Sequence, residues 1–325
     1  MSWFQDKLLK LIDKTVIEKH LLRYGKFRIS NFEILSGWQN LGLKIYTNSG
    51  IFILRIQRSG NIGRLKFALD LIEYLGKLGF PVQKLFATKK AEKIIQFKVG
   101  KFSQLAVLVS YLEGETKVTL TPAEIEEVGM LIGKLHHSLV KFEVNPNSRK
   151  LNLRNLTKQV EGKFPKRLKN QPGIWRIWQK FWPEIQAKLI ENKKTLSKKQ
   201  LIHGDLAPSN ILFQNSKISG ILDFDDLILA PKIWDLANFV GNFTITIKTS
   251  GKTLSISKVL KNLISGYLKT SNLTSEELKL IPELTRFWFF KNIIWAKKLT
   301  SKKYRQKWAE DVISWSVEAI LNSKY

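Results

Sequence analysis

Hydrophobic and polar residues alternate over short stretches in the first part of the chain, which is the pattern of half-buried β-strands. The turn Asn48-Ser49-Gly50 separates two of these stretches and predicts a hairpin between them. We predict strands before residue 113 at 32–36, 43–47, 51–57, 82–87, 94–99 and 105–112.

Two helices are predicted within this strand-rich part. Residues 3–23 carry apolar side chains near helical spacing, which predicts an N-terminal amphipathic helix. A second helix over 62–78 ends at Gly79, and Pro81 prevents its continuation. The apolar residues of the first helix are Phe4, Leu8, Leu11, Ile12 and Ile17.

After the sixth strand the apolar residues recur at helical spacing, so the rest of the chain is predicted to be mainly helical. Thr121-Pro122-Ala123-Glu124 has the form of a helix start, with Pro first and an acid in the first turn. The segment 200–226 is the strand-rich exception. A boundary at Tyr111-Leu112-Glu113-Gly114 divides the chain into lobes 1–112 and 113–325. The predicted helices occupy 121–140, 174–194, 231–243, 255–269, 276–298 and 303–322.

The composition is that of an ordinary globular protein. The 325 residues exceed what one hydrophobic core usually serves, and 44% hydrophobic with 25% charged residues exclude a disordered chain. No apolar run reaches the roughly 18–20 residues of a membrane span, and the N-terminus lacks the form of a secretory signal. The chain has no cysteine, which excludes disulfides and thiolate chemistry and fits a reducing compartment. We therefore expect a cytoplasmic protein with no membrane partner.

The net charge of +27 is large, but the basic residues are scattered along the whole chain. A nucleic-acid module more often clusters its basic residues on one stripe of a recognisable fold. The pattern therefore favours a solvated basic surface over a nucleic-acid interface, with a polyanion-binding scaffold as the alternative. In either case the charge attracts anionic substrates such as ATP.

Candidate catalytic chemistry lies in the segment His203-Gly204-Asp205, which precedes Asn210 and, after another apolar strand, Asp223. Protein kinases use the spacing H-R-D-x-x-x-x-N followed by a metal-binding Asp, and this chain has Gly204 in the Arg position. A carboxylate orients the attacking hydroxyl and accepts its proton, and oxygen ligands hold Mg²⁺ against the phosphates. The spacing predicts Asp205 as the base and Asn210 and Asp223 as the metal ligands. His203 is expected to hold the loop by packing and hydrogen bonding.

Several stretches resemble the aminoglycoside phosphotransferase and choline kinase superfamily. They are the catalytic segment, Ile221-Leu222-Asp223-Phe224-Asp225-Asp226 and Trp234-Asp235-Leu236-Ala237. Eukaryote-type protein kinases follow the second Asp with Phe-Gly and later carry Ala-Pro-Glu, and this chain has neither. The stretches Gly37-Trp38-Gln39-Asn40, 108–114 and 128–136 look closest to the homoserine kinases of this fold.

The resemblance implies an α+β, protein-kinase-like two-lobe fold, with a small mixed β-sheet lobe and a mainly helical lobe. It also implies a cleft for ATP and Mg²⁺. The nucleotide-binding residues would be Gly37, Asn40, Arg55, Ser110 and Leu112, with Arg55 paired to the phosphates.

The chain departs from the family at the acid that normally orients this cation. That acid should fall near Ala68, where the chain has none. Either Asp70 or Glu73 substitutes through a shifted register, or Arg55 has no partner.

The acceptor is expected to be a small-molecule alcohol. Acids are few beyond residue 236, which argues against a polycationic aminoglycoside and favours a small amino alcohol such as homoserine. Arg286 and Lys291 are candidates for its carboxylate, and Asp225 or Asp226 for its ammonium group. For Asp225, a role beside a second metal ion and simple solvation also stay open. Asp235 resembles the family's structural Asp, which ties a helix start to the catalytic loop.

Other interpretations stay open for the function. One alternative is an aminoglycoside-type antibiotic kinase, and another is a catalytically weak, kinase-like binding protein. His136-His137 is interpreted as packing rather than metal binding, because adjacent helical positions point about 100° apart. The sequence predicts no oligomeric state. Helical-spaced aromatics are expected to build the core of the second lobe: Trp175, Trp178, Trp182, Phe287, Trp288, Phe289, Phe290 and Trp295.

Overall fold

A computed structural model describes residues 8–35, 40–58, 60–144, 153–253, 255–302 and 305–322. The chain divides into two compact units. The first comprises Met1–Gly114 and Ser219–Asp225, and the second comprises Glu115–Ile218 and Asp226–Tyr325. The first break lies two residues beyond the predicted lobe boundary. The return of 219–225 to the first unit is a long-range feature that the sequence pattern does not predict.

The first unit contains a six-stranded sheet. Its strands are β1 (Ile29–Leu35), β2 (Leu41–Thr47), β3 (Gly50–Ile56), β4 (Leu85–Phe86), β5 (Ile95–Val99) and β6 (Phe102–Ser110). The order is β1-β2-β3-β6-β4, and β5 also pairs with β6. All of these pairings are antiparallel, so the expectation of mixed strand directions is wrong.

Two helices accompany this sheet. Helix α1 (Lys14–Leu21) begins after Asp13, whose side chain accepts a hydrogen bond from the Val16 N–H at 2.8 Å. The predicted continuous helix over 3–23 is therefore wrong for the described residues, because Asp13 caps a new helix; residues 1–7 lie outside them. Helix α2 (Ile62–Lys77) follows its predicted bounds and is capped by Asn61, which accepts from the Arg64 N–H at 2.9 Å.

The second unit is mainly helical, as predicted. The predicted helix over 174–194 ends at Glu191, and a helix that the sequence analysis did not predict covers Leu153–Leu168. The helices are α3 (Pro122–Leu139), α4 (Leu153–Leu168), α5 (Pro172–Glu191), α6 (Lys193–Ser197), α7 (Ile233–Thr249), α8 (Ile256–Leu268), α9 (Ser275–Leu299) and α10 (Gln306–Asn322). The short strands of the segment are β7 (Gln200–Ile202), β8 (Ile211–Gln214), β9 (Lys217–Ile221) and β10 (Ile228–Ala230).

The start of α3 confirms its predicted form. The Thr121 hydroxyl accepts from the Glu124 N–H at 3.2 Å, and the Glu124 carboxylate accepts from the Thr121 N–H at 2.8 Å. This reciprocal capping satisfies two N–H groups that a helix start otherwise leaves without partners.

None of the helices in the described part of the chain combines the length and apolar character that crossing a membrane requires.

Aromatic side chains build much of the core of the second unit, as the sequence predicts. The rings of Trp178 and Trp182 stack with centroids 4.3 Å apart, and Phe290 packs edge-on against both. Trp295 is the exception, since it is 40% exposed and contacts the ring of Trp308. The prediction of a core position for Trp295 is therefore wrong.

Helices α3 and α8 cross at very short range, and glycines make the crossing possible. A Cβ added to Gly266 would overlap the carbonyl oxygen of Glu126, and one added to Gly129 would overlap that of Leu263. Backbone atoms cannot move aside as a flexible side chain can, so any larger residue must push the helices apart.

We expect Gly266→Ala to lower the free energy of unfolding by about 1–3 kcal/mol, the usual cost of overpacking. Urea unfolding monitored by circular dichroism measures the change. Gly162→Ala on α4 is the matched control, since no described atom lies within 4 Å of a Cβ added there. At that exposed helical site, alanine should raise the free energy of unfolding by about 0.5–1 kcal/mol. Equal effects at both sites would contradict the proposed close crossing.

Candidate active site

The predicted catalytic loop begins where a two-stranded sheet ends. Strand β7 pairs antiparallel with β10, with Ile202 opposite Ile228. The chain then leaves the sheet through His203-Gly204-Asp205. Asp205 is half-buried, while both strands before and after the loop are mostly buried. The sheet thus fixes the backbone of the loop and leaves the Asp205 side chain partly accessible.

Asp235 holds the backbone of this loop. Its carboxylate is fully buried near the start of α7. One oxygen accepts from the His203 N–H at 2.9 Å, and the other accepts from the Gly204 N–H at 2.9 Å. The His136 ring contributes a third contact, with Nε2 at 3.1 Å from Oδ2. These bonds are those expected of the structural Asp named from the sequence.

A second polar group on α7 holds the carbonyl side of the loop. The Asn238 amide donates to the Gly204 carbonyl at 3.0 Å, and its oxygen accepts from the Trp288 indole N–H at 2.6 Å. Asn242 donates to the same Asn238 oxygen at 3.1 Å. Asn238 and Trp288 are buried, so these bonds form where water does not compete.

Gly204 cannot be replaced easily by the arginine that protein kinases have at this position. Its backbone lies at φ +83°, a conformation that side chains disfavour. A Cβ would overlap the Asp226 carbonyl oxygen and lie 2.9 Å from a methyl group of Ile228. The glycine therefore lets the loop pass directly over the segment before β10.

Asn210 is tied to the loop on which Asp205 lies. Its Nδ2 donates to the Asp205 carbonyl oxygen at 2.8 Å. A carbonyl oxygen only accepts hydrogen bonds, so the nitrogen must face it. The Asn210 Oδ1 atom therefore points away from that contact and is the atom available to a cation.

Of the histidines that the sequence singles out, His136 and His203 are buried, whereas His137 is exposed, so the packing role expected for His137 is wrong. His203 is fully buried, which fits the packing role expected for it. His136 is also buried, and its Nδ1 lies 3.1 Å from the hydroxyl of Tyr267. Burial raises the pKa of the Tyr267 hydroxyl far above its ordinary value, so this group stays protonated at neutral pH. The contact with Asp235 shows that His136 supports the residue that holds the loop.

Asp223 lies in the first unit, at the end of β9. Its backbone has φ +61°, which is uncommon for a residue with a side chain. The end of the strand before it is fixed by two hydrogen bonds within the same unit. The Ile221 N–H donates to the Pro81 carbonyl at 2.8 Å, and the Ser219 hydroxyl donates to the Glu113 carbonyl at 2.7 Å. Such strained conformations cluster at functional sites.

Arg55 has a partner, but not one of those predicted. Its Nη2 lies 3.3 Å from Asp225 Oδ1. Glu73 instead pairs with Lys93 at 2.6 Å, and Asp70 is exposed. Both sequence-based alternatives are therefore wrong: neither helix acid substitutes for the missing one, and Arg55 is not left without a partner.

Asn40 belongs to the same cluster as Arg55. Its Nδ2 donates to Asp225 Oδ2 at 2.6 Å, and its Oδ1 accepts from the Arg58 N–H at 3.3 Å. Gln57, which the sequence analysis did not name, completes the cluster. Nothing in the local sequence distinguishes this glutamine from other strand residues.

A cavity of about 320 Å³ lies beside this cluster within the first unit. Its walls carry polar and cationic groups, and Leu65 is the apolar exception. The lining residues are Asn40, Gln57, Arg58, Asn61, Arg64, Leu65 and Asp225. The cationic groups on the wall suit an anionic ligand.

The other predicted nucleotide-binding residues are placed differently. The Ser110 N–H donates to the Lys84 carbonyl at 2.8 Å, and the Ser110 carbonyl accepts from the Gln83 side chain at 3.2 Å. The Ser110 N–H is therefore already used, whereas its carbonyl oxygen can accept a second hydrogen bond. Leu112 lies just beyond β6 and is half-buried. Gly37 lies outside the described residues.

The predicted acceptor-binding residues of the second unit lie on two segments. Asp226 is half-buried before β10. On α9, Lys291 lies over the ring of Trp234, with Nζ 5.3 Å from its centroid. Arg286 lies 3.3 Å from the carboxylate of Glu283 on the same helix. Burial raises the pKa of Glu283, and the neighbouring Arg286 opposes that rise. Arg286 therefore already has a carboxylate neighbour on its own helix.

Comparison with known proteins also indicates a phosphotransferase. The sequence profile described as the phosphotransferase enzyme family matches residues 33–254. This range includes the first-unit cluster and the whole catalytic loop.

Curated relatives cover most of the chain. A homoserine kinase of Zymomonas mobilis is 26% identical over 256 residues, covering 75% of this chain and 73% of the relative. A homoserine kinase of Chelativorans sp. is 26% identical over 266 residues, covering 78% of this chain and 75% of the relative.

Solved structures confirm the predicted kinase-like α+β fold. The amicoumacin kinase hAmiN, solved with AMP-PNP and Ca²⁺, has a TM-score of 0.72 at 16% identity and covers 98% of this chain and 96% of its own. A microcompartment-associated aminopropanol kinase has a TM-score of 0.71 at 15% identity and covers 96% of this chain and 98% of its own.

Proposed function

The chain belongs to the phosphotransferase enzyme family, and from that premise we propose that it transfers the γ-phosphoryl group of ATP, with Mg²⁺, to the hydroxyl of a small amino alcohol such as homoserine. That it is a small-molecule phosphotransferase with a hydroxyl acceptor follows from the family match and the relatives. The observation that carries the proposal is the catalytic loop, in which Asp235, Asn238 and Asn210 fix the backbone around Asp205.

Asp205 acts as the base in this proposal. Its half-buried carboxylate orients the acceptor hydroxyl and takes the proton as the oxygen attacks the γ-phosphorus. The bond from that phosphorus to the β-phosphate oxygen breaks, and ADP leaves. Because the loop is held at both its N–H and carbonyl groups, the backbone that carries Asp205 does not need to reorganise during the reaction.

The metal proposal rests on oxygen donors. Beside nucleotide phosphates, Mg²⁺ is usually held by one or two protein carboxylates together with phosphate oxygens and water. The Asn210 Oδ1 and the Asp223 carboxylate are the proposed protein ligands. When bound, Mg²⁺ neutralises charge on the phosphates.

Arg55 is proposed to bind the phosphates. Its guanidinium offers donors in a planar fork, which matches phosphate oxygens. The structure of the amicoumacin kinase with AMP-PNP is consistent with a nucleotide site in this fold. A cytoplasmic location stays the prediction, since ATP is the proposed donor.

The candidates for binding the acceptor stay those predicted from the sequence: Asp225 or Asp226 for the ammonium group, and Arg286 or Lys291 for the carboxylate. Asp225 pairs with Arg55, and Arg286 pairs with Glu283. The relatives named homoserine kinases and the structural neighbour named an aminopropanol kinase support an amino alcohol.

A substrate panel tests this proposal. ADP release is measured with MgATP and homoserine, aminopropanol, choline, simple sugars or an aminoglycoside. We expect turnover with homoserine or aminopropanol to exceed the others. Preference for the aminoglycoside would replace the amino-alcohol proposal with an antibiotic-kinase one. ATP binding without turnover on any acceptor would favour a kinase-like binding protein.

We expect Asp223→Ala to abolish the Mg²⁺-dependent part of ATP binding, because it removes a carboxylate ligand. Isothermal titration with ATP measures this in the presence of Mg²⁺ and, separately, with excess EDTA. The EDTA titration is the internal control, and it should be the same for the variant and the natural protein. A normal Mg²⁺ effect in Asp223→Ala would remove this residue from the metal site.

A further inference from the structure

We infer that Asp225 performs the task that the family gives to a helix acid: it orients Arg55 toward the nucleotide phosphates. This inference rests on the proposed function, since it assumes that Arg55 binds ATP. Asp225 would then be a positioning residue, acting through Arg55, rather than a ligand of the acceptor. Both residues belong to the first unit.

The ion pair is shielded from water. The Arg55 and Asp225 side chains are 12% and 19% exposed, and their closest charged atoms are 3.3 Å apart. Coulomb attraction is stronger in such a place than at a fully exposed site. The pair is therefore more than a chance contact between mobile surface side chains.

Two amides fix the Asp225 carboxylate from the other side. Asn40 donates to Oδ2 at 2.6 Å. With the Gln57 amide turned so that its nitrogen donates, Nε2 lies 3.3 Å from the same oxygen, and its carbonyl accepts from Arg55 Nε at 3.1 Å. Among the described contacts of Arg55, the ion pair uses Nη2 and the hydrogen bond to Gln57 uses Nε. Nη1 is assigned to a phosphate oxygen, because a guanidinium presents donors on more than one edge.

The helix that normally carries the acid is otherwise occupied. The expected position is the buried Ala68, which has no charge to offer. Asp70 is exposed, and Glu73 is paired with Lys93. In the described part of the chain, the carboxylate that pairs with Arg55 therefore comes from the segment after β9 and not from α2.

With the carboxylate partner of Arg55 on the segment after β9, two functions lie on one short segment. Asp223, the proposed metal ligand, is two residues before Asp225. A displacement of this segment would therefore move a metal ligand and the anchor of the phosphate-binding cation together. Metal binding and nucleotide binding should consequently be coupled in this chain.

The first test compares three single variants by titration with MgATP and by steady-state kinetics. Asp225→Asn, which keeps the shape and removes the charge, should raise the Kd and the KM for ATP by about 10- to 100-fold, the range for a lost charged hydrogen bond. The KM for the acceptor should change little. Asp225→Glu should restore part of the affinity, because the charge returns. Asp70→Asn is the matched control and should bind ATP normally.

A double-mutant cycle separates a functional pair from two independent effects. Arg55→Met and Asp225→Asn are measured alone and together. If Asp225 acts through Arg55, the double variant should bind MgATP no more weakly than Arg55→Met alone. Additive losses would overturn the inference, as would a weakened Asp70→Asn or a raised acceptor KM in Asp225→Asn with an unchanged ATP KM.

MgATP binding by the natural protein and by Asp225→Asn distinguishes failure of this inference from failure of the proposed function. If the natural protein neither binds nor hydrolyses MgATP, the proposed kinase function fails. If it binds MgATP and Asp225→Asn binds equally well, only the role of Asp225 fails. Thermal unfolding of each variant identifies loss of fold, and Asp225→Glu then gives the decisive comparison.

Discussion

Asp205→Asn is expected to lower kcat by about 10²–10⁴, the usual share of a positioned base in proton transfer. The substitution keeps the shape of the side chain but replaces the carboxylate by a neutral amide, which is far too weakly basic to take the hydroxyl proton. ATP affinity should change little, since the proposed phosphate contact comes from Arg55. The measurement is single-turnover phosphoryl transfer at saturating MgATP and acceptor, which separates chemistry from ADP release.

The control for this experiment lies in the same loop. Ser209 is exposed four residues after Asp205, and Ser209→Ala should leave kcat unchanged. If Asp205→Asn turned over normally, the acceptor proton would have to leave by another route, and the base assignment would be withdrawn. A loss of ATP affinity equal to the loss of kcat would instead point to collapse of the loop.

The sequence predicts local elements well where a single residue decides them. Thr121, Pro122 and Glu124 specify the start of α3, because their capping bonds form within one turn. The N-terminal helix shows the limit of this reasoning. Helical spacing of apolar residues continues through Asp13, but a capping Asp starts a new helix there. The pattern of apolar residues alone does not distinguish a continuous helix from a restart.

The spacing of Asp205, Asn210 and Asp223 predicts phosphoryl-transfer chemistry, because that chemistry requires those residues in that order. The stretches around them that resemble the superfamily predict the kinase-like fold. The partner of Arg55 was not predictable in the same way. Arg55 and Asp225 are 170 residues apart in the chain, and their pairing depends on the return of 219–225 to the first unit. No local pattern encodes that return.

The sequence predicts only one of the two α7 residues that hold the backbone of the catalytic loop. Asp235 was recognisable from its place after Trp234 in a family stretch. Asn238 was not, although it lies three residues later on the same helix and bonds the same loop. An Asn inside an apolar helix is an informative signal, since a buried amide requires hydrogen-bond partners. That signal indicates a buried polar contact without identifying which backbone group it reaches.

Asp235→Ala is expected to destabilise the protein by roughly 2–6 kcal/mol, at about 1–3 kcal/mol for each buried N–H that loses its acceptor. The stranded groups are the N–H donors of His203 and Gly204. Because these residues immediately precede Asp205, kcat should fall as well. Asp235→Asn keeps one oxygen acceptor and should lose less than the alanine variant.

Hydrogen exchange of the loop amides distinguishes this mechanism from general destabilisation. The His203 and Gly204 amides should exchange faster in Asp235→Ala under native conditions, relative to amides elsewhere in the second unit. Thr244→Val is the matched control on the same helix, since its buried hydroxyl bonds only the Val240 carbonyl one turn earlier. Thr244→Val should lower the free energy of unfolding by about 1 kcal/mol and leave the loop amides protected from hydrogen exchange. Unchanged loop protection in Asp235→Ala would show that β7 and β10 hold the loop without the buried carboxylate.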